Sequence, residues 1–148
     1  MEDEVRIAIN ADADLVTARA EARAMAQRLG FPRPDPTLIA TAISEIARNI
    51  VVHVGRGEIV LAPFEDAHRY GLVVIAKDDG PGIRDVEAAL RDEYSGRAGL
   101  GLGLPGARRL MDEFEIASDA DNGTTVRMTK WRFRDDLARL RAERRRRA

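Results

Sequence analysis

Six uncharged, mostly branched residues in a row, Gly71-Leu72-Val73-Val74-Ile75-Ala76, read as a strand buried on both faces and set the plan of the chain. Directly after it comes Asp78-Asp79-Gly80-Pro81-Gly82-Ile83. A carboxylate at the end of a buried strand is well placed to meet a ligand. Gly80 and Gly82 have no β-carbon, so the backbone there can take positive φ and a flat ligand can lie against it. Pro81 stiffens the turn between them. Closing a strand needs one glycine; this turn has two around a proline, with an acid in front. An ordinary loop remains the other reading of the hexapeptide taken alone.

The rest of the chain supplies partners for such a strand. Val5-Arg6-Ile7-Ala8-Ile9 alternates apolar and polar, as a strand with one buried face does. Asp12 or Asp14 can cap a helix running to about Gly30, with Leu15, Ala18, Ala22, Met25, Ala26 and Leu29 at helical spacing. Phe31-Pro32-Arg33-Pro34-Asp35-Pro36 breaks it with a stiff connection too short to be a domain linker. A second helix is predicted from near Thr37 to about Val52, with Ile39, Ala42, Ile43, Ile46 and Ile50 on its apolar face. Past the turn at Gly55-Arg56-Gly57, Glu58 to Ala62 and Tyr70 to Lys77 read as an antiparallel hairpin.

Asp85 to about Asp92 has weak helical character, and the small, polar Ser95-Gly96-Arg97-Ala98 suits a lid. A helical pattern through Leu104, Ala107, Leu110 and Met111 leads to a strand at Phe114 to Ser118, a turn at Asp121-Asn122-Gly123 and a returning strand from Thr124 to Phe133. The expected fold is an α/β two-layer sandwich, its mixed, mostly antiparallel sheet covered on one face by helices. Residues 1–134 form that domain. Residues 135–148, ending in Arg144 to Arg147, form a basic tail that reads as a frayed, solvated helix.

Composition removes several function classes. At 148 residues, with 45% hydrophobic and 33% charged, the chain holds one real core. A formal net charge of −1 argues against a general nucleic-acid binder. There is no cysteine and only His53 and His68, so thiolate chemistry is excluded and a zinc site would need carboxylates. No apolar leader or membrane-length run is present in the sequence, so no membrane partner is expected and a cytoplasmic protein is.

Two further patterns carry chemistry. Glu45 and Asn49 lie four apart among Ile43, Ile46 and Ile50, which places them one turn from each other on one side of the second helix. A pair of polar groups among isoleucines calls for an explanation, although a hydrogen bond on a solvent-facing surface would also account for it. Gly99-Leu100-Gly101-Leu102-Gly103-Leu104-Pro105-Gly106 leads into a helix start, where free amide N–H groups and the helix dipole suit a polyphosphate. It is neither a Walker A loop nor a Rossmann fingerprint, and a flexible hinge has the same composition.

Taken in order, Glu45/Asn49, Asp78-x-Gly80-x-Gly82, Gly99-x-Gly101-x-Gly103 and Gly123-Thr124 resemble the Bergerat-fold (GHKL) ATPase superfamily, over roughly Val5 to Phe133. Within it the chain resembles the small anti-sigma-factor and switch-protein serine kinases, through Ile43-Ser44-Glu45-Ile46-Ala47-Arg48-Asn49-Ile50, Asp79-Gly80-Pro81-Gly82-Ile83, Leu104-Pro105-Gly106, Arg109 to Phe114 and Lys130-Trp131. The resemblance implies ATP and Mg²⁺, with Asn49 as the metal ligand through its amide oxygen. It implies that Asp78 accepts a hydrogen bond from the adenine amino group, helped by Thr124 through water. Gly80, Gly82 and Ile83 would lie against the base, and Gly99, Leu100, Gly101, Leu102 and Gly103 would wrap the phosphates.

The same resemblance makes Glu45 the general base for a substrate hydroxyl. Arg97 is a second catalytic candidate, because kinases of the anti-sigma branch carry an arginine two residues before the first glycine. Lys77 is a basic residue with no assigned role. The implied activity is phosphorylation of a STAS-domain antagonist or scaffold in a partner-switching, stressosome-type pathway, with a downstream phosphatase or other output protein as a further partner. The alternative is a nucleotide-gated module that sequesters a sigma factor or other partner with little or no kinase activity. Histidine kinases and the larger chaperone, gyrase and mismatch-repair relatives need segments for which this sequence has no counterpart.

Overall fold

A computed structural model of the chain describes residues 3–82, 103–119, 121–134 and 144. Strand β1 is Val5–Ile9, and helix α1, Asp12–Leu29, follows after a short turn. Neither Asp12 nor Asp14 occupies the capping position, which falls to Ala11. Asp14 acts instead from inside the first turn, its carboxylate accepting the N–H groups of Asn10 (2.8 Å) and Ala11 (3.0 Å). At the other end Gly30 takes the left-handed conformation with φ of 91°, and the N–H groups of Gly30 and Phe31 bond back to Gln27 and Ala26.

Helix α2, Asp35–His53, begins two residues earlier than the proline-rich segment suggested. Pro36 lies in its first turn, where a missing N–H costs nothing. Asp35 is 1% exposed and meets Arg132 in a fork, Nε to Oδ2 at 2.6 Å and Nη2 to Oδ1 at 2.9 Å. That pair ties the start of α2 to the far end of the last described strand.

The remaining elements among the described residues are β2 (Gly57–Glu65), β3 (Arg69–Asp78), α3 (Gly103–Leu110), β4 (Glu113–Asp119) and β5 (Gly123–Phe133). The five strands form one sheet in the order β1-β2-β3-β5-β4. Expected to be mixed, the sheet is antiparallel in all its described ladders. The run that begins at Gly71 is therefore the middle strand, flanked by β2 and β5.

Strand alternation sorts the sheet's two faces. Ile9, Ile59, Leu61, Leu72, Val74 and Met128 are buried against Ala18, Ala22 and Met25 of α1 and Ile39, Ile43 and Ile46 of α2. Burying one such large aliphatic side chain is worth roughly 1.5–3 kcal/mol. The alanines at Ala18, Ala22 and Ala26 keep the inner face of α1 thin, so two helices fit over one sheet. On the opposite face Trp131 and Phe133 meet edge-on at 5.0 Å, and the Arg69 guanidinium lies over the Trp131 ring at 5.0 Å. A β-carbon at Gly71 would come within 2.5 Å of the Phe64 ring, so this strand position has room only for glycine.

Candidate nucleotide site

Asp78 is the last residue of β3 and has the same parity as Leu72, Val74 and Ala76, so it lies on the helix-covered side of the sheet. Its Oδ1 accepts the N–H of Gly80 at 3.0 Å, which folds the chain into the glycine turn. The turn is packed from two sides. A β-carbon on Gly80 would come within 2.7 Å of a Val54 methyl, just past the end of α2, and one on Gly82 within 2.4 Å of the Asp119 carbonyl oxygen. Gly82 also has φ of +79°, a conformation that side chains other than glycine's rarely adopt. Gly82 is thus required by close approach as well as by turn geometry, whereas Gly80 does not take the positive φ expected of it and is crowded chiefly by the Val54 side chain.

Thr124 sits beside this turn because of strand register. It pairs with Asp78 across β3 and β5 and with Ser118 across β5 and β4. Its hydroxyl is 2.8 Å from that of Ser118. Gly123 just before it has φ of +74°, and a β-carbon there would stand 2.1 Å from the Asp78 carbonyl oxygen. The loop between β4 and β5 is held by Asp119, whose carboxylate accepts from the Asn122 side chain and from the N–H groups of Asn122 and Asp121. Those bonds, the Asn122 side chain first among them, hold the Asp119 carboxyl below its ordinary range.

Glu45 and Asn49 come from the middle of α2. Glu45 is 8% exposed, so it is not part of a solvent-facing pair; Asn49 is half-buried. Glu45 Oε2 accepts the backbone N–H of Gly103 at 2.9 Å, and its Oε1 is 3.6 Å from Arg48 Nη1. Gly103 is the first residue of α3, so the carboxylate meets an N–H that the helix itself leaves unpaired. The dipole of α3 favours a negative group at this end.

Helix α2 connects the two halves of the site. At about 1.5 Å per residue, Glu45 stands about 13 Å up the helix axis from Val54, and Asn49 about 7 Å. A strand-end acid and glycine turn at one end, an amide midway and a carboxylate beside the start of α3 at the other are the candidate groups for an elongated ligand. Lys77 takes no part, since it is exposed on the opposite face of β3. Ile83, Arg97, Gly99, Leu100, Gly101 and Leu102 lie outside the described residues, as do the helix expected at 85–92 and the lid expected at 95–98.

Sequence reasoning did not single out three residues that touch the candidate groups: Arg48 beside Glu45, Val54 beside Gly80 and Ser118 beside Thr124. Ser118 was legible in principle: once the turn at Asp121 to Gly123 is placed, counting back along the hairpin sets it opposite Thr124.

A model of the histidine kinase-like ATPase domain matches residues 9–130. The chain belongs to that family. Among relatives in the family, it is 44% identical over 131 residues to serine/threonine-protein kinase RsbT of Bacillus subtilis (strain 168), covering 88% of this chain and 98% of that one. It is 34% identical over 108 residues to the anti-sigma F factor of Thermoanaerobacter sp. (strain X514), covering 66% of this chain and 74% of that protein. Among solved structures, the RsbU and RsbW domains of Rv1364c from Mycobacterium tuberculosis share the fold, with a TM-score of 0.60 at 24% identity over 88% of this chain and 32% of that one. The family's α/β architecture, with helices over an antiparallel sheet, is the one observed here. Among the described residues no helix is long and apolar enough to cross a membrane.

Proposed function

We propose that this chain is an ATP-dependent protein serine/threonine kinase of a partner-switching pathway, acting on a STAS-domain antagonist or scaffold protein. The observation that carries the reading is Glu45, a buried carboxylate at the N-terminus of α3 and one helical turn from Asn49. A kinase named RsbT that matches this chain over 98% of its own length supports it.

The residues fit ATP on three counts. Asp78 supplies an acceptor for an exocyclic amino group at the start of the glycine turn. In this reading the phosphates lie toward the start of α3, where the helix dipole favours negative charge. Asn49 would offer its amide oxygen to a Mg²⁺ ion, which would offset the charge of the phosphates.

In the transfer itself, Glu45 accepts the proton of the substrate hydroxyl as that oxygen bonds to the terminal phosphorus. The bond from phosphorus to the bridging oxygen breaks and ADP leaves with the electron pair. Arg97 and the glycine run Gly99 to Gly103 complete the phosphate end in this reading. The output partner is a phosphatase or similar protein bound when the substrate is phosphorylated, and the protein works in the cytoplasm.

A second reading, a nucleotide-gated module that sequesters a sigma factor, draws on the 34% identity to anti-sigma F factors. One experiment separates the two. The protein is incubated with Mg-ATP and a panel of STAS-domain proteins, and phosphate transfer is followed alongside ATP affinity in wild type, Glu45→Ala and Asn49→Ala. Transfer that disappears in Glu45→Ala while ATP still binds supports the kinase. ATP binding without transfer to any STAS protein, together with capture of a sigma factor, supports the sequestering module.

A further inference from the structure

We infer that Lys130 is a positioning residue for the proposed transfer: it caps the C-terminal end of α3 and thereby sets where the other end of that helix meets Glu45. The inference rests on the reading of Glu45 as the base.

Lys130 is out of keeping with its place in the sheet. By alternation with Val126 and Met128 it lies on the helix-covered side of β5, opposite Leu72 of β3, and its side chain is only 13% exposed. A lysine in such a place needs a partner. Its Nζ donates to the carbonyl oxygen of Leu110 at 3.1 Å and stands 3.8 Å from Asp112 Oδ1. Leu110 is the last residue of α3, and its carbonyl is one that the helix itself leaves unpaired. A cation there also suits the negative end of the helix dipole.

The neighbours of Lys130 hold the same junction. The carbonyl of Thr129 accepts the N–H of Asp112 at 2.9 Å, and the N–H of Trp131 donates to Asp112 Oδ2 at 2.8 Å. Three consecutive residues of β5 thus grip the corner between α3 and β4. At the far end of α3, about 10 Å away at the rise of an α-helix, Glu45 accepts the N–H of Gly103 at 2.9 Å. A carboxylate from α2 and an ammonium from β5 therefore close the two ends of one eight-residue helix. Such a helix is shorter than the roughly 12–15 residues that persist without outside support, so it lies where its neighbours fix it. Without Lys130 the Leu110 carbonyl loses its donor inside the fold. The last turn of α3 shifts to find another, and the first residue moves against Glu45. A displacement of about 1 Å at a reacting group is enough to slow a reaction about 100-fold.

The test follows two quantities in wild type, Lys130→Met, Lys130→Gln and Lys130→Arg, each well below its melting temperature. One is the Gly103 amide signal in NMR of glycine-labelled protein, with Gly30 and Gly57 as internal controls and Glu45→Ala marking where the signal goes when the bond is lost. The other is the rate of phosphate transfer to a STAS-domain protein at saturating ATP and substrate. In Lys130→Met the Gly103 signal should move toward its Glu45→Ala position while Gly30 and Gly57 stay, and the rate should fall about 10- to 100-fold. Lys130→Gln keeps a donor and loses the charge, so both readings should change in the same direction by less; it carries the test if Lys130→Met does not fold. Lys130→Arg should restore both. A Gly103 signal unmoved in Lys130→Met and Lys130→Gln overturns the inference even if stability falls, as does an equally deep loss in Lys130→Arg. Transfer kept in Glu45→Gln refutes the base reading, whatever Lys130 does. Transfer lost in Glu45→Gln but kept in Lys130→Met refutes only the role of Lys130.

Discussion

Glu45 accepts the backbone N–H of Gly103 at 2.9 Å, which joins the middle of α2 to the first residue of α3 across 58 positions of sequence. The carboxylate proposed to take the substrate's proton therefore also closes a helix end. The two duties respond differently to substitution. Glu45→Gln keeps an acceptor for Gly103 and loses the base, so phosphate transfer should fall by about 10²- to 10⁴-fold with little change in melting temperature. Glu45→Ala removes both, and should in addition lose about 1–3 kcal/mol of stability for the stranded N–H. Transfer assays and urea unfolding read the two effects; near-normal transfer in Glu45→Gln would sink the base assignment.

Gly82→Ala and Gly123→Ala should each weaken both the fold and ATP binding. At either position an alanine must adopt positive φ, which costs about 1–2 kcal/mol, and its methyl group meets backbone that has no rotamer to escape into. Chemical unfolding with and without ATP checks this. A variant that retains full stability and full affinity contradicts the packing described for the turn.

Removing Arg132 should be worse than removing both members of its pair. Arg132→Met leaves Asp35 buried and charged, and a loss of about 2–3 kcal/mol is expected, below the roughly 3–5 of a fully buried pair because the Arg132 side chain is 36% exposed. Asp35→Leu/Arg132→Met should recover most of that loss. Urea titration of the single and double variants gives the comparison, and an equal loss in both would show that the charge is not the cause.

Acid should loosen two turns. Asp119 is held below its ordinary value of 3.8 by the Asn122 side chain and then by the N–H groups of Asn122 and Asp121. Asp66 is held below the same value by the N–H groups of His68 and Arg69. A carboxyl whose folded value is depressed adds stability that is complete above its unfolded value and is lost as pH falls through the folded one. Melting temperature should therefore drop below about pH 3.8, and the drop should be shallower in Asp119→Asn and Asp66→Asn. Parallel pH curves for wild type and variants would refute the assignment.

Local pattern carried the sheet and most of the helices into the sequence reading. The alternation at Val5 to Ile9, the apolar run before Asp78 and the turn before Thr124 each specify a strand by themselves, while the family resemblance rests on Glu45/Asn49, Asp78-x-Gly80-x-Gly82, Gly99-x-Gly101-x-Gly103 and Gly123-Thr124 in that order. The start of α2 was not legible, because Pro36 breaks a helix everywhere except in its first turn and Asp35 is buried only by virtue of Arg132, 97 residues away. Glu45 and Asn49 were readable as a pair, but the link from Glu45 to Gly103 was not: periodicity locates a residue on its own helix and says nothing of which other helix ends there. Ser118 escaped for a related reason, being one small polar residue in a strand until register sets it against Thr124.

The sheet's outer margins carry their own consequence. Strand β4 is an edge, and Glu113, Glu115 and Asp119 all face water along it; at the other edge Arg6 of β1 is held between Glu4 and Glu58. An open strand edge is an invitation to a neighbour's backbone, and ranks of like charge decline it. Carboxylates along such a margin repel the like-charged margin of a second copy, so pairing of β4 with another β4 is disfavoured.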